Sequence, residues 1–99
     1  MIIHTVQFAF KEEISSDEEA SFFCDAYSLA EIPGPKNFKA FRQTSKKNPY
    51  KFCLSMEFDD QEGYDFYSNH EVHNDFLAKQ WFVKVDSFQE ADFEILEKN

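Results

Sequence analysis

Tyr67, His70 and His73 stand three residues apart in the segment 66–76, FYSNHEVHNDF, which holds two of the three histidines of the chain. On a helix that spacing brings neighbouring polar heads together on one side. A phenol beside a neutral imidazole can hold and move a proton near pH 7, because the ordinary histidine pKa is about 6.5. Acid–base chemistry is therefore the first expectation, with Phe66, Phe76 and Leu77 docking the segment on a core. The competing expectation is an amphipathic helix rim whose polar tips sit in water. Between His70 and His73 no third ligand appears at a metal-binding spacing, so no metal is expected.

The elements that must position these residues follow from the pattern of apolar residues. From Ile2 to Phe10, the residues Ile2, His4, Val6, Phe8 and Phe10 alternate with smaller and more polar ones, which is a strand with His4 on its apolar face. Ser15-Ser16-Asp17-Glu18 has the form of a capped helix start, and the apolar stripe through Phe22, Phe23 and Ala26 extends that helix to about Glu31. Pro33-Gly34-Pro35 stops it. Residues 37–44 alternate weakly, 45–49 form a polar turn, and Tyr50 to Phe58 alternate strictly, which together make a hairpin. An acidic run, Asp59 to Glu62, opens a second helix leading into the Tyr67–His73 cluster. Trp81, Phe82 and Val85 keep helical spacing, and residues 88–96 return to alternation as a last strand.

The order strand, helix, two strands, helix, strand is an α+β, ferredoxin-like βαββαβ arrangement with a four-stranded antiparallel sheet. Helices cover one face of such a sheet, and no remaining segment covers the other. A second copy of the chain is the expected cover.

The 99 residues fit a single domain, 1–99. A chain this short has few side chains to divide between a core and a cavity, so thirteen phenylalanines have to supply both. A formal charge of −9 repels phosphate backbones and anionic lipid, so neither nucleic acid nor a membrane is an expected partner. Cys24 and Cys53 fall in no metal-ligand or redox spacing and read as reduced thiols. With no basic-then-apolar leader and no long apolar run, a cytoplasmic location is expected. Two glycines cannot build a phosphate-cradling loop, so no nicotinamide or flavin is expected, and no cofactor of any kind.

Four stretches, MIIHTVQFAFKEEIS (1–15), IPGPKNF (32–38), YSNHEVHNDF (67–76) and the run from Trp81 to Phe93, resemble in order and separation the stress-responsive dimeric α/β-barrel (Dabb) domain. The resemblance spans nearly the whole chain. It implies a homodimer whose two sheets face each other as one barrel with helices outside. The family's tyrosine followed by His-Pro-x-His falls on Tyr67, His70 and His73, with Glu71 where proline is customary. One branch, the plant polyketide cyclases, implies His73 as general base, Tyr67 as the group polarising a substrate oxygen, and a role for His4. Its third-strand histidine is replaced here by Phe52. Cyclase-like, lyase-like and monooxygenase-like chemistry all occur on this fold, and a noncatalytic stress-responsive binding protein is the alternative. The expected substrate is a small hydrophobic, aromatic or polyketide-like molecule. Its pocket is expected between the helices and the even-numbered face of the first and third strands, bordered by Val6, Phe8, Phe22, Phe52, Phe76 and Trp81, with Asp92 reaching His4 from the last strand.

Overall fold

A computed structural model describes residues 1–98 of the chain. Four strands, β1 (Ile2–Phe10), β2 (Lys36–Arg42), β3 (Phe52–Phe58) and β4 (Val85–Phe93), form one antiparallel sheet in the order β2-β3-β1-β4. Helix α1 (Ser16–Ser28) joins β1 to β2 and ends in a 3₁₀ turn, Leu29–Glu31. Between β3 and β4 the chain makes α2 (Gln61–Ser68), α3 (Glu71–Phe76), a π-helical turn at Leu77–Trp81 and a last helical turn, α4 (Phe82–Lys84). This is the expected βαββαβ fold.

Strand alternation decides which residues meet the helices. His4, Val6 and Phe8 of β1 and Phe52, Leu54, Met56 and Phe58 of β3 are buried beneath α1 and the 61–84 segment. Phe22 and Ala26 of α1, with Leu29 and Ile32, close the core from above. Its densest part is aromatic. Phe8 lies 5.3 Å from Phe22, 5.8 Å from Phe52 and 5.1 Å from Trp81, ring centre to ring centre, within the range where tilted and offset ring pairs attract.

Local signals set the element ends. Ser15 caps α1 in a reciprocal capping box with Glu18, whose side chain returns to the Ser15 amide. Asp60 caps α2 through the Gly63 amide. The 43–50 loop is folded around Gln43, whose Nε2 donates to the carbonyls of Ser45, Asn48 and Tyr50 while its Oε1 accepts from the Ser45 amide.

Among the described residues no helix lies on the opposite face of the sheet. Ile3, Thr5 and Gln7 of β1 and Cys53 and Ser55 of β3 are half-buried there, and Asn48 of the 43–50 loop donates to the Gln7 side chain at 2.7 Å. Phe41 and Phe93, at the two flanks, stand exposed.

Three expectations need correction. The helix read through residues 66–76 is broken: Asn69 ends α2 and His70, in extended conformation, starts α3 with its own side chain as cap. Phe66 points outward, 54% exposed, with its ring against that of His70 instead of in the core. The last strand starts at Val85 and ends at Phe93, displaced by three residues from the alternation read at 88–96.

Candidate active site

A cavity of about 150 Å³ opens between the helix-bearing face of the sheet and the 67–82 segment. His4 and Val6 of β1, Leu54 and Met56 of β3, and Phe88 and Glu90 of β4 form its floor; Leu29 and the residues Tyr67, His73, Phe76, Leu77, Trp81 and Phe82 form its walls. The register explains the floor. Val6 stands opposite both Leu54 and Glu90, so one row across three strands faces the same space.

The break at residues 69–70 does not separate Tyr67 from His73. Tyr67 at the end of α2 and His73 in the first turn of α3 fold back on each other, with ring centres 4.7 Å apart. Burial, aided by neighbouring Tyr64 and Glu90, pushes the Tyr67 phenol well above its ordinary range, so it is a hydrogen-bond donor at neutral pH. Burial pulls the His73 imidazole below its ordinary value, and nearby His4 acts in the same direction. Asn74, Ser68 and Glu90 temper that shift, yet Nδ1 of His73 is buried without a well-aligned hydrogen bond. A neutral imidazole beside a protonated phenol is the pairing that general-base chemistry with oxyanion stabilisation requires.

His4 is held from behind. Its Nδ1 lies 2.6 Å from Oδ1 of Asp92, its direct partner across the β1–β4 ladder, and 2.9 Å from the hydroxyl of Tyr64. A carboxylate only accepts, so Nδ1 of His4 donates to Asp92, and Nε2 is the ring nitrogen outside that hydrogen bond. The Tyr64 hydroxyl then has Asp92 as its acceptor, and burial followed by the Asp92 charge raises the Tyr64 phenol well above its ordinary range.

Of the residues expected at the site, His4, Val6, Tyr67, His73, Phe76 and Trp81 line the cavity. Phe8, Phe22 and Phe52 do not: they sit in the solid aromatic core next to it, at 0%, 0% and 7% exposure. Asp92 touches the cavity only through His4 and borders a separate shallow groove with Ile2 and Gln61. His70 faces away, its Nδ1 accepting from the Val72 amide at 3.1 Å. Besides the apolar lining residues Leu29, Leu54, Met56, Leu77, Phe82 and Phe88, two polar residues were missed by sequence reasoning. Tyr64 precedes Tyr67 by one helical turn, a spacing that is readable. Glu90 pairs with Val6 across a ladder, which no local pattern reveals.

Among the described residues no group of three or more His, Cys, Asp or Glu is placed to hold a metal ion, and no helix is long and apolar enough to cross a membrane.

The Dabb family, described as a stress responsive A/B barrel domain, matches residues 2–95. The chain belongs to that family. A Dabb family protein with a ferredoxin-like fold from Mesorhizobium loti is 40% identical, with 97% of each chain covered and a TM-score of 0.91. A dimeric ferredoxin-like protein of unknown function from Thermobifida fusca is 22% identical over 95% of this Dabb chain and 90% of its own, with a TM-score of 0.83. The hydroxynitrile lyase of Passiflora edulis is 16% identical over 99% and 95% respectively, with a TM-score of 0.87. At those two lower identities the likeness is one of fold. Comparison with curated proteins finds no match.

Proposed function

We propose that this Dabb protein is a homodimeric enzyme that acts without a cofactor on a small hydrophobic, aromatic or polyketide-like molecule by Tyr/His acid–base chemistry. The observation that carries this reading is the convergence of His4, Tyr67 and His73 on one cavity whose remaining lining is apolar apart from Glu90. His73, neutral at working pH, takes a proton from a C–H or O–H of the substrate. Tyr67 donates a hydrogen bond to the substrate oxygen on which charge develops. His4, its Nδ1–H engaged by Asp92, offers Nε2 as a further polar contact that fixes the substrate's orientation.

A lyase step is one form this chemistry takes, and the Passiflora edulis enzyme gives reason to test it. In cleavage of a hydroxynitrile the base removes the hydroxyl proton, the C–O bond becomes C=O, the bond to the nitrile carbon breaks, and the departing cyanide takes up a proton. Ring closure uses the same base on a carbon acid instead.

Dimerisation is supported by the helix-free sheet face and by dimeric relatives of the same fold. Pairing of the two open faces as one α/β barrel leaves both cavities on the outer, helix-bearing sides.

A thermal-shift screen of small aromatic and polyketide-like compounds identifies ligands, and hits are assayed for turnover, with aromatic hydroxynitriles assayed for cyanide release. Turnover that falls in His73→Ala and Tyr67→Phe supports the enzyme. Ligands that stabilise wild type and both variants equally, with no turnover, point to a noncatalytic binding protein.

A further inference from the structure

We propose that the cavity selects neutral, single-ring ligands over carboxylates of the same shape, and that Glu90 is the residue that sets this selection. The inference rests on the cavity being the ligand site and narrows what that site accepts.

Size comes first. A wholly apolar cavity of about 150 Å³ takes up benzene, and this one, at about 150 Å³, matches it. One ring with one short polar substituent fills the space, whereas a ring bearing a long chain must leave the chain outside.

Charge comes second. Among the described residues no lysine or arginine lines the cavity, and the only formally charged lining residue is Glu90, at its exposed edge. A ligand carboxylate entering there sheds water without meeting a cation, and it meets a like charge. The phenol of Tyr67 already registers that charge, since Glu90 adds to its raised pKa.

Hydrogen-bond polarity comes third. Tyr67 supplies a donor to the cavity and Glu90 an acceptor. A hydroxyl group both gives and receives a hydrogen bond and so satisfies the two together, whereas a carboxylate only receives.

Trp81, the single tryptophan of the chain, lines the cavity and reports on its occupancy through its fluorescence. Benzyl alcohol and benzoate, matched in ring and length, are titrated at neutral pH and fixed ionic strength into wild type and Glu90→Gln. The wild type is expected to bind the alcohol severalfold to about tenfold more tightly, since two like charges about 10 Å apart at the effective dielectric of a protein surface lose up to about that factor, and less where solvent screens the exposed Glu90. Glu90→Gln is expected to improve benzoate severalfold and so narrow the ratio between the two ligands. Benzoate binding as tightly as the alcohol to wild type overturns the selection. A preference that persists undiminished in Glu90→Gln overturns the role of Glu90. If neither probe binds wild type, the small-ligand reading of the cavity fails and this inference with it.

Discussion

His73 pays for its place in the cavity wall with a disfavoured charge, and that cost is measurable in two ways. The first is stability. Its folded pKa lies below the ordinary value, so above about pH 6.5 it is neutral in both folded and unfolded chains and contributes no pH dependence. As pH falls below that value the unfolded chain takes up the proton first, and stability is lost until pH passes the folded pKa. The gap in Tm between His73→Gln and wild type should therefore shift in favour of the variant between pH 7.5 and pH 5; a constant gap would show that His73 ionises freely in the fold. The second is catalysis. Loss of a positioned general base typically costs about 10²- to 10⁴-fold, and loss of one well-aligned oxyanion donor about 10²- to 10³-fold, so His73→Ala should reduce turnover at least as much as Tyr67→Phe. His70→Ala should leave turnover nearly unchanged and cost about 0.5–2 kcal/mol of stability, as loss of a helix cap does, because its Nδ1 is spent on the Val72 amide.

Among the elements, the π-helical turn at Leu77–Trp81 directs two cavity residues inward from the same five-residue stretch. Such turns are single-turn interruptions of an α-helix and are frequent at functional sites. Deleting Ala78 should let the segment return to α register and rotate Trp81 by about 100°, the angle of one residue. The expected outcome is a red-shifted Trp81 emission and a lower Tm; unchanged emission would mean that packing on Phe8, and not the turn, holds the indole. Strict alternation in β1 and β3, and the Ser15–Glu18 capping box, made those elements legible from sequence because each has one period or one local motif behind it. The π turn had no such signal, since Leu77, Trp81 and Phe82, interleaved with polar Lys79 and Gln80, look helical at any period near 3.6. The break at Asn69–His70 was equally silent: histidine is an uncommon cap, and the glutamate at position 71 offers no proline-like stop. Thirteen phenylalanines are alike in type, so nothing local separates Phe76, in the cavity wall, from Phe8, Phe22 and Phe52, in the solid core; only the crossing of α1 over the sheet decides that.

At the scale of the whole molecule, the helix-free face is neither a solvent surface nor a core. It carries Ile3, Ala9 and the exposed rings of Phe41 and Phe93 among Thr5, Gln7 and Ser55, a mixture suited to burial against a like face with its polar groups paired. Sedimentation at micromolar concentration should give twice the 11.7 kDa chain mass, with an interface of roughly 1,200 Å² or more. A clean monomer under those conditions would remove the barrel.

The two cysteines lie on opposite sides of that boundary. Cys24 is exposed on α1, whereas Cys53 is half-buried on the open sheet face, its thiol made less acidic by burial despite a weakly favourable backbone contact. In the proposed dimer a thiol reagent would therefore meet one prompt site and one that reacts only when the two sheets part. The slow phase of labelling would then be a clock for subunit exchange, built into the chain without any added probe.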